Sequence, residues 1–466
     1  MRIVAALLSS LLLAASRPVG DLPRSAVPAK DLTKYSKDLN AYFEAMASDD
    51  LEGQDKSLEA LEKEVKAQSK RAKVDDLLKF PADWDLALEL AKSEDRALKP
   101  HYGKGFFRHA YTYLGDPDPK KKDDDVTVAL LLSIPSTYGK DEELLPVVVG
   151  VKPRLELSGA ELEAKTTEMA NAMYSDLLES AIVLVPLGEE KGAGRDRATT
   201  EPEGSWLASD GLFDFSMSLN VLLEQLRFDR ARVVLDGWGE AGLDALMLST
   251  NLPSRFAGVI NRSGDAGDER VIYDNLRGVP MLYLNGAGDK RTVDLEALKA
   301  RKSDLSVIDE GGSSLAPSET TRKAVATWIA ERKRDLAPDV IEHRFGNVDF
   351  QFVDWIQASD ARLRANARPA DPDFPRIKAQ VDRASNTIKI ETVNVLELKL
   401  FLSDAIVDLD KKVVIEVNGK KLFDRTYRRD LRTMLENRFR DDGYSGIFTT
   451  DQLVTDLEPN IPGKSS

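Results

Sequence analysis

Short apolar runs recur through the middle of this chain with helical stretches between them. They read "VTVALLLSIP" (126–135), "LLPVVVGV" (144–151), "SAIVLVPL" (180–187), "ARVVLDGW" (231–238), "FAGVINRS" (256–263), "PMLYLNGAGD" (280–289) and "DLSVIDEGG" (304–312). Unbroken Val, Ile and Leu suit strands buried on both faces, as in a parallel sheet covered by helices. Helical periodicity is predicted over Ala160–Ser180, Phe213–Leu226, Gly242–Leu252 and Ser318–Arg334, the last with Ala324, Trp328 and Ile329 on one side. Strand alternating with helix predicts an α/β domain, placed at residues 105–338.

The flanks have other periods. Leu39, Tyr42, Phe43 and Met46 form one helical stripe, and Leu58, Leu61 and Val65 another, within a helical region spanning 31–104. Gly53 is expected to mark the break between these helices. The stripes are expected to pack on each other or on the next domain. Beyond the α/β domain, "NTIKIETV" (386–393) and "LELKLFLS" (396–403) alternate with period two, and Leu396, Leu398, Leu400 and Leu402 share a face. Asn418-Gly419 predicts a two-residue hairpin turn. A helix follows with Leu431, Met434, Leu435 and Phe439 at helical spacing and Gly443 as its stop. Residues 339–466 therefore predict a mostly antiparallel β module carrying one helix.

Composition narrows the function. Of 466 residues, 42% are hydrophobic and 31% charged, as in ordinary soluble cores. The net charge of -14 argues against nucleic acid as a partner, because phosphate contacts need clustered Lys and Arg. The opening "MRIVAALLSSLLLAASRP" predicts a signal peptide over 1–16, cleaved after Ser16, with a Pro-containing linker at 17–30. The alternative is an uncleaved anchor. Export to the periplasm, envelope or exterior is expected, with no membrane span after cleavage. Cysteine is absent, which excludes disulfides and thiolate metal sites. Histidines occur only at 101, 109 and 343. The loop "DPDPKKKDDD" (116–125) lacks the glycine turn and bidentate Glu of a calcium loop. No cofactor and no metal is implied.

One junction carries the question of chemistry. "VVLDGWGEAGLDALML" (233–248) reads as strand, glycine turn and helix. With the order of elements around it, residues of about 105 to 335 resemble the α/β-hydrolase fold, in particular secreted esterases and peptidases of the polyhydroxyalkanoate-depolymerase and prolyl-oligopeptidase-like type. "FAGVINRSGD" is similar to the strand after the nucleophile helix, "GVPMLYLNGAGD" to the strand ending in the triad acid, and "DEGGSSLAPSETTRKAVATWIAE" to the histidine loop and final helix. The C-terminal segment resembles a β module found behind such domains in some exported bacterial proteins.

The resemblance implies a triad that can be tested position by position. In a G-x-S-x-G elbow the strained turn exposes the serine. Here Gly237 matches the first glycine, Gly239 falls on the serine, and Ala241 or Gly242 supplies the small residue for close packing. Glycine cannot form an acyl intermediate, yet it tolerates the same positive φ. The acid position falls on Asp289, and the histidine position on Ser313 or Ser314. None of the three histidines is well placed by chain order.

The former oxyanion region comprises Glu240, whose backbone could donate, with Val151 and Lys152 at the early turn. There Pro153 offers no N–H. Glu240 also fits the first turn of a helix, where the dipole favours acids, and Lys152 reads by default as a surface lysine.

Other nucleophiles lack an identifiable base. Ser263 lies on the strand after the elbow, Ser249 and Thr250 lie in or after the helix, and Asp236 is expected to point into the sheet. Ser209 or Asp210 reads as a helix cap. No P-loop, dinucleotide fingerprint, H-E-x-x-H or EF-hand loop is present. The expectation is an exported, catalytically inactive α/β-hydrolase homologue that binds a ligand or envelope partner. An active ester hydrolase or serine peptidase with a non-standard nucleophile and base is the alternative. A structural or assembly protein is the third option.

Overall fold

The first two long helices part at Ser48–Asp50 and not at Gly53. In the computed structural model, α1 (Ala29–Leu32) and α2 (Ser36–Ala47) precede α3 (Leu51–Ala72) and α4 (Pro81–Ala91). Asp50 caps α3 by accepting the Gly53 N–H at 3.0 Å. A Cβ at Gly53 would lie 2.3 Å from the Asp50 carboxylate, so this glycine makes room for the cap inside the first turn. The structure describes residues 25–92, 98–113, 126–140, 144–153, 155–189, 215, 218–219, 225–289, 293–302, 304–347, 351–364, 367–440 and 446–459. The expected signal peptide, the charged loop at 116–125, the cap at Ser209 or Asp210, Gly443 and most of the helix expected at 213–226 lie outside these residues.

Eight strands form the central sheet: β1 (Phe107–Tyr113), β2 (Val126–Ser133), β3 (Val147–Val151), β4 (Ile182–Glu189), β5 (Val233–Trp238), β6 (Gly258–Arg262), β7 (Met281–Gly286) and β8 (Leu305–Glu310). Their order is β1-β2-β4-β3-β5-β6-β7-β8. From β4 across to β8 the neighbours run parallel, while β1 and β2 are antiparallel additions at one edge. Strand β1 follows no long apolar run and was not expected from the sequence.

The unbroken runs divide between two faces. Val147, Val149, Leu235 and Val259 pack toward α6 (Gly242–Asn251), which follows α5 (Gly159–Tyr174) in the chain. Val148, Val234, Ile260 and Leu282 pack toward α5 and toward α8 (Glu319–Ala330), which comes after α7 (Leu295–Arg301). Each such side chain contributes about 1.5–3 kcal/mol when fully buried. The apolar face of α8 is Val325, Trp328 and Ile329; Ala324 points to solvent, because the face turns one residue later than the pattern suggested.

The C-terminal module contains two sheets, β10 (Phe352–Val353), β11 (Ile356–Ala361), β14 (Val395–Leu402) and β17 (Thr450–Val454) in one, and β16 (Lys420–Arg425), β15 (Val413–Val417), β13 (Thr387–Val393), β12 (Arg376–Asp382) and β9 (Val340–Arg344) in the other. Most pairs are antiparallel, with β13 and β15 parallel. Leu398, Leu400 and Leu402 are fully buried, and Leu396 is half-buried. Asn418 and Gly419 have φ of 50° and 77°, as a type I′ turn requires. Helix α9 (Leu431–Arg440) buries Leu431, Met434 and Leu435, but Phe439 is exposed and stacks on Phe43 at 6.3 Å.

The N-terminal helices pack on each other and on α9: Leu39, Tyr42, Leu61 and Trp84 share one core with Leu431, Met434, Leu435 and Ile447. Charges join the same helices to the central sheet. Glu89, fully buried on α4, pairs with Arg230 just before β5, with Lys92 at 2.9 Å and with Arg438 of α9 at 3.4 Å. On the other side of the central domain, Asn275 donates to the carbonyls of Thr250 and Arg344 at 2.8 Å each and accepts the Arg344 N–H, which ties β9 down.

Burial favours the neutral form of Glu89, but the charges of Arg230, Lys92 and Arg438 outweigh it and hold the carboxyl down at about 2, against an ordinary 4.5. A depressed folded-state value means the stabilisation is complete above the unfolded value and is lost as pH falls from 4.5 toward about 2. Urea titrations across that range should show stability falling with acid in the wild type and a flatter profile in Glu89→Gln. At neutral pH the variant should be less stable by about 3–5 kcal/mol, because it leaves buried guanidinium groups uncompensated.

Candidate functional site

At the C-terminal end of β5 the chain turns through Gly239 at φ 56° and enters α6 by way of a short 3-10 turn, Gly239–Ala241. Three glycines let strand and helix approach this closely. A Cβ at Gly237 would lie 2.6 Å from Ala245 Cβ and 2.7 Å from Gly242 Cα. One at Gly242 would meet Asn261 Oδ1 at 2.3 Å, and one at Gly264 would meet the Gly239 carbonyl oxygen at 2.5 Å. At Gly239 itself the nearest atom to such a Cβ is Leu315 Cδ1, 3.6 Å away. A Cβ at 239 would therefore fit in space, although the positive φ would strain it.

Asp289 lies beyond the end of β7. Its carboxylate accepts from Ser313 Oγ at 2.9 Å and from the Ser314 N–H at 3.1 Å. Gly286 makes this possible, since a Cβ there would sit 2.1 Å from Asp289 Oδ2. Burial works against ionisation of Asp289, yet hydrogen bonds from the surrounding serines outweigh it and keep the carboxyl below its usual range. Leu315, two residues past Ser313, is the side chain facing Gly239. Gly239, Asp289 and the 313–315 loop thus converge at the C-terminal edge of the parallel strands.

Glu240 is exposed in the turn leading into α6. Val151 pairs with Gly237 across β3 and β5 and is buried. Lys152 is also buried, at 2% exposure, and is not the surface lysine expected from its residue type. The end of β3 runs beside the base of the elbow, inside the domain and not on its rim. Ser263 has φ 58°, and its hydroxyl is held between the Leu284 carbonyl at 2.9 Å and the Gly286 N–H at 3.0 Å. That arrangement fixes β6 to β7 and leaves no free nucleophile. Ser249 donates to its own helix at the Leu246 carbonyl.

No histidine reaches this edge. His101 stacks on Phe107, His343 is buried on β9 of the C-terminal module, and His109 sits on β1 with Gln225 at 2.9 Å. Strand β1 is four places from β5, on the order of 19 Å across a sheet. Among the described residues, no cluster of acids or histidines is arranged to hold a metal ion.

Beneath the elbow lies a buried polar network that no sequence motif marks. Asp236 points into the sheet, as expected, and is wholly buried. It accepts from Arg262 Nε at 2.9 Å and from Arg262 Nη2 at 2.8 Å. Tyr174 of α5 donates to Asp236 at 2.9 Å and accepts from Trp238 Nε1 at 2.8 Å. The second guanidinium arm donates to the Ser314 carbonyl at 3.2 Å, so the same arginine steadies the loop that carries Ser313. Burial and the Asp236 charge push the Tyr174 hydroxyl well above its ordinary range and keep it a donor. One signal was available: an arginine and an aspartate, each inside an otherwise apolar strand run, require one another.

No family model matches this chain, and no curated protein matches it. Among solved structures, a thermostable esterase aligns with TM-score 0.37 and 16% identity over 50% of this chain, which spans 64% of that one. A ferulic acid esterase aligns with TM-score 0.34 and 14% identity over 48% of this chain and 97% of its own. An S-formylglutathione hydrolase from Agrobacterium tumefaciens aligns with TM-score 0.33 and 17% identity over 49% and 96%. The fold is that of an α/β-hydrolase. The strand order, the antiparallel β2 and the glycine elbow after β5 carry that assignment, as the sequence resemblance implied.

The elbow's glycines should differ in tolerance. Gly239→Ala meets only Leu315 Cδ1, at an ordinary contact distance of 3.6 Å, and should cost about 1–2 kcal/mol for the left-handed backbone. Gly237→Ala must displace backbone at 2.7 Å and should cost more. Arg262→Met strands a buried carboxylate and should cost about 3–5 kcal/mol. Chemical denaturation of the three variants ranks them.

Proposed function

We propose that this chain is an exported α/β-hydrolase homologue that binds or scaffolds and does not hydrolyse. One observation carries the proposal: the side chain answering Asp289 is Ser313, at 2.9 Å, where a triad needs an imidazole, and the elbow it would serve is Gly239. A serine hydroxyl bonded to a carboxylate cannot take a proton near neutral pH, since it has no basic nitrogen. Glycine supplies no oxygen to attack with. The expectation of export rests on the apolar leader, and the partner is a ligand or an envelope protein.

Incubation with a fluorophosphonate probe and with short nitrophenyl esters should give neither labelling nor turnover. Labelling that a single Ser→Ala change abolishes would identify a displaced nucleophile and overturn the proposal in favour of an ester hydrolase or serine peptidase. Gly239→Ser should remain inactive, because general-base help worth about 10²–10⁴-fold is still missing at Ser313. Robust esterase activity in that single variant would show that another group acts as base.

A further inference from the structure

Lys92 ends α4 and is held across the junction with the central domain in both directions. Its Nζ donates to the Leu226 carbonyl at 3.1 Å. Its own carbonyl accepts from Arg227 Nε at 2.9 Å and from Arg227 Nη2 at 2.7 Å. The amine also lies 5.1 Å from the centre of the Phe228 ring. Its acidic partner is Glu89, at 2.9 Å.

That carboxylate is shared. One oxygen of Glu89 serves Arg230 and Arg438, and the other serves Lys92 and the Phe228 N–H. The neighbouring acids are engaged elsewhere. Asp85 of α4 answers Arg438 of α9 at 3.3 Å, and Asp229, before β5, answers Lys333 at 3.5 Å. The Tyr138 hydroxyl accepts the Arg227 N–H at 2.6 Å. Three cations thus converge on one carboxylate that has no exposure at all, an arrangement that desolvation penalises. Guanidinium groups do not release protons in proteins, so only the lysine can relieve the excess. Burial, helped by the charges of Arg230 and Arg438, outweighs the attraction of Glu89 and pulls the amine down to about 7 from an ordinary 10.5.

We infer that this clasp is a pH-responsive latch between the N-terminal helices and the central domain, tightest when Lys92 is uncharged and loosened when its amine takes a proton from solvent. An uncharged amine can still donate to the Leu226 carbonyl, and it leaves Glu89 to the two arginines. A charged one adds a third cation to a carboxylate already committed. Lys92 keeps 14% exposure where Glu89 has none, which puts the lysine at the rim of the cluster, next to water when the junction opens. Because its folded-state value is the lower one, the closed junction holds fewer protons than the open one between about 7 and 10.5. Closure therefore strengthens as pH rises through that window and gains nothing from this group below it. Glu89 acts in a separate, acid range. The latch is independent of whether the elbow is catalytic, and its test does not measure hydrolysis.

The experiment is hydrogen–deuterium exchange of the full chain, with each rate divided by the intrinsic rate at the same pH. Protection of the α4 amides and of residues 225–232 should rise about tenfold or more between about pH 7 and pH 9. Lys92→Met carries no charge at any pH and should give a flat profile. Lys92→Arg cannot release its proton, so its profile should also be flat, with protection below that of the wild type at the alkaline end. A flat wild-type profile in α4, a slope that survives in Lys92→Met, or the same slope in β11 and β14 of the C-terminal module would each overturn the inference. Circular dichroism of each variant separates a lost slope from a lost fold.

Discussion

A carboxylate and a guanidinium buried one strand apart set the shape of the central domain. Asp236 and Arg262 have essentially no exposure, and each would cost several kcal/mol to bury alone. Together, with Tyr174 and Trp238 completing the hydrogen bonds, they join β5, β6 and α5, and through the Ser314 carbonyl they hold the loop opposite the elbow. The turn at Gly239 rests on this network and on three glycines that allow strand and helix to touch. None of that support comes from a reacting side chain. The geometry of this elbow needs no serine at its tip.

Buried polar groups also join the other regions of the molecule. The N-terminal helices are anchored to the central domain by the buried Glu89 and by hydrogen bonds between Lys92 and Leu226 and Arg227, and to the C-terminal module by a shared apolar core. The module is anchored to the central domain by Asn275, which bonds backbone on both sides, by the Asp354 N–H donating to Ser254, and by the Arg277–Glu342 and Arg344–Asp274 pairs. The three regions therefore contact one another in a closed circuit, although they are separate in composition and period. A cleft between α3 and the module lies where two of these regions meet.

Much of the fold could be read from the chain because its signals are local. Apolar runs long enough for strands and too short for helices gave every parallel strand within a few residues. The Asn418-Gly419 turn is fixed by two residues that accept positive φ. The misses have physical causes as well. Strand β1 carries arginine, histidine and threonine at a sheet edge, where one flank needs no apolar cover. Isolated glycines are poor helix formers, which makes Gly53 look like a helix break, yet here it clears space for an N-cap. Lys152 is buried against its residue type, and only its neighbours decide that.

By itself, then, the sequence determined the element types, the α/β class, the glycine at the elbow and the lack of any histidine near it in chain order. These depend on residue identity and short-range periodicity. Tertiary structure alone decided that Ser313 bonds Asp289, that Leu315 faces Gly239, that Arg262 neutralises Asp236, and that α9 packs on helices some 350 residues earlier in the chain, as the Arg438–Asp85 contact records. Those facts join residues far apart in sequence. Which distant groups meet is set by how whole faces pack and by which buried charges must find a partner, and neither is encoded in any single stretch.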